Sequence, residues 1–252
     1  MKKYSAPFFN GQTFSRSVVV AALTLIFGAQ PHALFAQATA NPSAMKIGVI
    51  GSGNIGGTVG GFWIKAGHQV LFSSRHPEEL KPLIDGFGPL ARAGTVTEAL
   101  KFGDVMLIGV PYGAIPQIGK DYAKEFVGKI VVDASNAVLA RDGEPGKEAR
   151  EVGVGITTAK YLAGARIVRA FNTMGVRRLS ANANRPGEPM AIPIASDDQD
   201  ALKIAAKLVR DAGFEPVVIG SLERSKFFAQ GGPLYGQEIS AREMQERLKT
   251  FK

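Results

Sequence analysis

The sequence predicts an α/β fold, a doubly wound and mostly parallel sheet with helices on both faces and a small C-terminal extension. Three observations predict it. From Lys46 onward, short apolar runs rich in β-branched residues alternate with helical stretches. The first run leads straight into a glycine-rich turn, Gly51-Ser52-Gly53-Asn54-Ile55-Gly56. The chain has 252 residues and 45% hydrophobic content, enough for one well-buried domain and a smaller addition.

The chain opens on a segment that reads as an address. Lys2 and Lys3 begin an acid-free segment, and Val18 to Ala29 form an unbroken run without charge. That run is too short to span a bilayer as a helix but suits the core of a secretory signal. Pro31 breaks it, and the small-residue triplets Ala36-Gln37-Ala38 and Ala38-Thr39-Ala40 offer cleavage points. Residues 1–38 are therefore read as a signal peptide, 39–45 as a linker, 46–220 as the dinucleotide domain and 221–252 as a helical tail. The corresponding location is outside the cytoplasm, periplasmic or secreted, with no stable membrane span. Met45-Lys46-Ile47 is also a natural start for such a domain, and translation from there would leave the protein cytoplasmic.

Lys46 to Ile50 reads as the first strand. The G-x-G-x-x-G that follows has the spacing of a dinucleotide fingerprint. Gly51 permits the tight turn, Gly53 lets the backbone approach a pyrophosphate, and Gly56 lets the helix pack closely on the strand. A helix should run to about Ala66 and stop at Gly67 in the C′ position. Its N-terminus offers unpaired N–H groups to phosphate. Phe62 and Trp63 on this helix read as packing residues. A second strand, Gln69 to Ser73, completes the context the motif requires.

The end of that second strand chooses the dinucleotide. An NAD protein places a carboxylate there for the ribose 2′-hydroxyl. This chain reads Ser73-Ser74-Arg75-His76, with no carboxylate before Glu78. Two hydroxyls and a guanidinium suit a 2′-phosphate, so the expected cofactor is NADP(H). Ser74 can also cap a helix ahead of Pro77.

Further strands are expected at Asp104–Val110, Lys129–Asp133, Ala165–Ala170, Met190–Ala195 and Pro216–Ile219, with a helix near Asp198–Ala212. In open α/β sheets the ligand lies beyond the carboxyl ends of the strands. Val110 and Pro111, Asn136, and Asn172 are thus candidates for the nicotinamide side, although both asparagines also suit turns.

The residue inventory excludes several chemistries. Cysteine is absent, which removes disulfides, thiolate metal sites and thiol nucleophiles. Outside the leader only His68 and His76 remain, and no Ser-His-Asp or metal-ligand spacing exists. No catalytic or metal residue is assigned; Tyr112 and Lys160 are the acids a carbonyl reductase could use. The formal charge of +8 includes Lys2, Lys3 and Arg16, and the remaining excess is scattered. A solvated surface explains it better than nucleic acid, and a homodimer is compatible with it.

Ile47 to Gly56, Ser73-Ser74-Arg75, Asp133 to Asn136, Val168 to Thr173 and Gly220 to Glu223 together resemble the NADPH-dependent deazaflavin (coenzyme F-420) reductases. They are also similar to the NADPH-oxidising domains of mammalian ferric-reductase membrane proteins, and to the first domain of pyrroline-5-carboxylate reductases. The first of these resemblances implies a Rossmann-like domain whose small C-terminal portion completes the pocket. It implies hydride transfer between NADP(H) and a flavin or deazaflavin co-substrate stacked on the nicotinamide. By position, Ser52, Asn54 and Ile55 would touch pyrophosphate, Ser74 and Arg75 the 2′-phosphate, and Pro111 and Asn172 the nicotinamide side. The tail departs from the deazaflavin pattern, because Gln230 to Gly236 is glycine-rich and polar. Two other functions stay open, a reductase of a small imine or keto compound and a non-catalytic NADP-binding redox sensor.

Overall fold

The computed structural model describes residues 43–251. The expected signal segment and most of the linker lie outside the described residues. The elements, in chain order, are β1 (Lys46–Ile50), α1 (Asn54–Lys65), β2 (Gln69–Ser73), α2 (Lys81–Asp85), β3 (Ala91–Gly94), α3 (Val96–Phe102) and β4 (Val105–Ile108). They continue with α4 (Ile115–Asp121), α5 (Ala123–Phe126), β5 (Ile130–Asp133), α6 (Leu139–Val152), α7 (Val154–Tyr161), β6 (Arg166–Arg169) and α8 (Val176–Asn182). Last come β7 (Ala191–Ala195), α9 (Gln199–Asp211), β8 (Glu215–Gly220) and α10 (Ala241–Leu248). Short 3-10 turns cover Pro77–Leu80, Tyr112–Ala114 and Leu222–Phe228.

The strands form one sheet in the order β3-β2-β1-β4-β5-β6-β7-β8. Every neighbouring pair is parallel except β6 and β7, which meet antiparallel at Arg169 and Ala195. The chain leaves β1 first toward β2 and later returns to pair β4 on its other side. The carboxyl ends of β1, β2 and β4 therefore flank the switch point, where a crevice must open.

Period-two alternation builds a core on each face. Val105 and Leu107 join Val59, Trp63 and Leu208 beneath α1 and α9, whereas Met106 and Ile108 join Leu100, Ile115 and Val154 beneath α3, α4 and α7. Trp63 is fully buried and donates its indole N–H to the Leu208 carbonyl at 2.8 Å, as a packing residue should. A third cluster, including Val217, Phe228 and Met244, holds the tail against β7 and β8.

Local chemistry sets the ends of α1. Gly67 has φ +91°, its N–H bonds the Ile64 carbonyl at 2.9 Å, and the His68 N–H reaches Trp63 O at 2.9 Å. This paired arrangement closes the helix where expected. Asp198 caps α9 by accepting from the N–H groups of Asp200 and Ala201.

Three expectations are corrected. The edge strand β3 was missed because Ala-Arg-Ala-Gly carries no β-branched signal; pairing with Val70 to Ser73 alone makes it a strand. Ser74 does not cap the 3-10 turn at Pro77, since His76 occupies that position. The tail is helical only over Ala241–Leu248 and in the 3-10 turn at Leu222–Phe228; an irregular, glycine-bearing stretch separates them.

Candidate functional site

The turn after β1 is shaped for phosphate. Gly51 has φ +93°, and a Cβ there would lie 2.6 Å from Val110 and 2.8 Å from the Gly109 backbone. At Gly56 a Cβ would lie 2.1 Å from the Gly51 carbonyl oxygen, so only hydrogen fits between helix and turn. Gly53 is different, because a Cβ would meet nothing within 4 Å. The protein makes no steric demand for glycine there, as expected where a bound group comes close. Gly53 is also the N-cap of α1, without a side-chain cap and with no acid in the first turn. The first N–H groups of the helix are thus left for an anion. Ser52 fastens the turn to the second strand, its hydroxyl donating to Ser73 O at 2.9 Å.

One cleft of about 630 Å³ runs from this turn across the ends of β1, β2 and β4. Gly51, Ser52, Gly53, Ser73, Ser74, Arg75, Val110 and Pro111 all contribute to it. Arg75 is exposed and has no hydrogen-bond or ion-pair partner among the described residues. Ser74 accepts from the His76 N–H at 3.0 Å, which leaves its own proton free to donate. Ser73 is corrected in role. Its buried hydroxyl donates to Val49 O at 2.8 Å, so it shapes the strand end and has no proton left for a phosphate. Sequence reasoning missed the opposite wall, where Val96, Ile118 and Tyr122 make an apolar slot and Asp121 stands at the rim. The only sequence signal for that wall was the helical spacing of Ala114, Ile118 and Tyr122.

Beyond Gly53 and Pro111 the crevice continues into two smaller hollows, about 440 and 300 Å³, which share Asn54, Ile55, Ala134, Asn136 and Tyr235. Val110 and Pro111 line the larger and Asn172 the smaller. The asparagines staple two strand ends together. Asn136 Nδ2 donates to Asn172 O at 2.7 Å, and Asn172 Nδ2 donates to Phe228 O at 3.0 Å in the tail. Asn172 Oδ1 is buried with no partner among the described residues, an acceptor without a donor. Phe171 holds φ +58° beside it, a left-handed backbone that costs about 1–3 kcal/mol. Edge contacts with Trp63 at 5.9 Å and Phe214 at 6.3 Å fix that conformation.

Arg141, Gln230 and Tyr235 also line this end, and no local motif singles them out as site residues. Arg141 is set by Asp142, which accepts from its Nε and Nη2 at 2.8 Å each, and from the N–H groups of Val138 and Gly113. Burial alone would raise the Asp142 carboxyl; Arg141 and those N–H groups overcome it and hold it below the usual carboxylate range. The two acids considered from sequence are elsewhere. Tyr112 is fully buried with its hydroxyl on Thr157 at 2.5 Å, and burial pushes it above the ordinary phenol value. Lys160 lies on the surface, paired with Glu148 at 2.5 Å.

Uncapped helix, open cradle and topological switch point define a Rossmann-type fold with a dinucleotide-type turn. Residues 46–137 match the family model described as NADP oxidoreductase, coenzyme F420-dependent. A solved structure of a hypothetical protein from Sinorhizobium meliloti is 29% identical, covering 79% of this chain and 96% of that one at a TM-score of 0.70. A structure described as an F420-dependent NADP-reductase from an Arthrobacter species shares the fold at 20% identity and a TM-score of 0.61, covering 71% of this chain and 86% of its own. Metalloreductase STEAP3 of Rattus norvegicus is 27% identical over 190 residues, 73% of this chain. The chain spans only 35% of the length of that curated relative.

Proposed function

We propose that this protein oxidises NADPH by passing its hydride to a planar flavin or deazaflavin acceptor. The observation that carries the reading is the continuity of the crevice. Gly53, Val110 and Pro111 line both the 630 Å³ cleft and the 440 Å³ hollow, so one extended dinucleotide fits across them. In this reading Gly53, Asn54 and Ile55 receive the pyrophosphate on the α1 N-terminus. Ser74 and Arg75 take the 2′-phosphate, and the apolar slot beside Tyr122 takes the adenine. Asn172 Oδ1 accepts from the carboxamide end.

NADPH supplies the hydride when bound. The chain holds the reactants in place and limits water around them, which suits a transfer governed by distance and stacking. No carboxylate or histidine lines the two hollows, and hydride transfer to a flavin-type ring needs no strong acid placed at one atom. The name of the Arthrobacter reductase points the same way.

A second reading, reduction of a small imine or ketone, is favoured by one residue. Tyr235 is a phenol lining both hollows and could donate a proton to a reduced carbonyl or imine. The test follows nicotinamide absorbance of the chain with NADPH and FMN or deazaflavin. Acceptor-dependent oxidation that survives Tyr235→Phe supports the flavin reading. Oxidation only with imines or ketones, abolished by that substitution, overturns it. NADPH binding with no turnover of any acceptor favours the sensor.

A further inference from the structure

Arg141 is the one charged side chain lining the 440 Å³ hollow. It stands three residues into α6, just after the end of β5. Two edges of its guanidinium are tied down. Nε and Nη2 form a fork onto Asp142, and Nη2 donates again to Asn136 O at 3.0 Å. Nη1 has no hydrogen-bond partner among the described residues, and the side chain is 48% exposed, whereas Asp142 is 1% exposed. The carboxylate therefore stays behind the guanidinium. It is also saturated, since Oδ1 takes the Gly113 N–H at 3.1 Å and Oδ2 the Val138 N–H at 2.7 Å.

This arrangement has a mechanical consequence. Asp142 ties the turn after β4, through Gly113, to the segment after β5, through Val138, and fixes Arg141 between them. A guanidinium already held on two edges loses little rotamer freedom when a third group binds, so its remaining N–H groups are preorganised. Small and polar neighbours, among them Gly109, Ser135 and Gln230, leave room in front of it. Arg–oxyanion hydrogen bonds are the strong kind.

We propose that Arg141 selects an acceptor bearing an oxyanion, a phosphate or carboxylate set apart from its redox ring. This rests on the flavin reading above and gives the substrate class of that same site. Asp142 is the positioning residue that aims the guanidinium.

FMN and riboflavin test it, because they share one ring system and differ by a phosphate. Binding of each to the NADP-loaded protein is followed by flavin fluorescence quenching. Wild type is expected to hold FMN about tenfold or more tighter than riboflavin, the scale of one charge-assisted hydrogen bond. In Arg141→Gln the two should bind equally, with NADPH affinity unchanged, and Arg141→Lys should keep part of the preference. In wild type alone, inorganic phosphate should displace FMN while leaving riboflavin bound, a result that does not depend on any variant folding. Equal binding of the two flavins to wild type overturns the proposal and leaves the flavin reading standing. Weaker NADPH binding in Arg141→Gln also overturns it, since Arg141 would then serve the dinucleotide. If neither flavin binds, both fail together. A preference for FMN without any turnover overturns the proposal together with the hydride-transfer reading, because FMN would then be bound without being an acceptor.

Discussion

Asp133 and Arg169 form an ion pair at 2.7 Å between the ends of two neighbouring parallel strands, and neither side chain is exposed to solvent. The guanidinium also donates to Asp133 O at 3.2 Å and Ser135 O at 2.8 Å. The carboxylate takes the N–H and hydroxyl of Ser135 and the hydroxyl of Thr158. This network lies directly beneath the turns that carry Asn136 and Asn172.

Removing one partner leaves the other charged and buried. Arg169→Met should destabilise the fold by about 3–5 kcal/mol, and Asp133→Asn by a similar amount. Urea denaturation of both single variants and the double variant would measure this. A double variant less damaged than the sum of the singles is the expected sign of the pair.

Arg75→Ala should weaken NADPH binding by about 10- to 100-fold, as loss of a charge-assisted contact does. NADH binding should change little, because NADH has no 2′-phosphate for the guanidinium to grip. Titrating both nucleotides by fluorescence checks it, and equal losses would sink the 2′-phosphate assignment.

Gly53 and Gly56 should separate binding from folding. Gly53→Ala puts a methyl into open space, so stability should stay within about 0.5 kcal/mol while NADPH affinity falls at least about tenfold. Gly56→Ala presses a methyl against the Gly51 carbonyl and should cost about 1–3 kcal/mol in thermal or urea unfolding. A stable Gly53→Ala variant with wild-type NADPH affinity would contradict the cradle.

His68 should make the fold acid-sensitive. It is fully buried, accepts the Met45 N–H on Nδ1 at 3.0 Å and faces Asp211 with Nε2 at 2.9 Å. Burial lowers its pKa from the usual 6.5, against the raising effect of Asp211, while Lys207 nearby lowers it further. The unfolded chain then binds a proton more readily than the folded one, so stability rises with pH. The contribution is complete above about pH 6.5 and shrinks as pH falls from there toward the lower folded pKa. His68→Gln should flatten that part of a Tm-against-pH profile, and an unchanged slope would assign it to another group.

The sequence by itself determined the sheet and the dinucleotide turn. Alternating β-branched runs, the G-x-G-x-x-G between strand and helix and the glycine at the helix stop are local signals, and each acts within a few residues. Gly51, Gly53 and Gly56 took their expected places, and Ser74 and Arg75 reached the cleft from the end of β2. Tertiary structure decided what depends on residues far apart in the chain. β3 exists only through its pairing with β2, and Ser73 lost its free proton to a carbonyl on the adjacent strand. Tyr112 and Lys160 were drawn into contacts away from the crevice, while Arg141, Gln230 and Tyr235 came to line it. Local pattern fixes backbone conformation, but a side chain's partner is set by packing between elements, which one-dimensional periodicity does not encode.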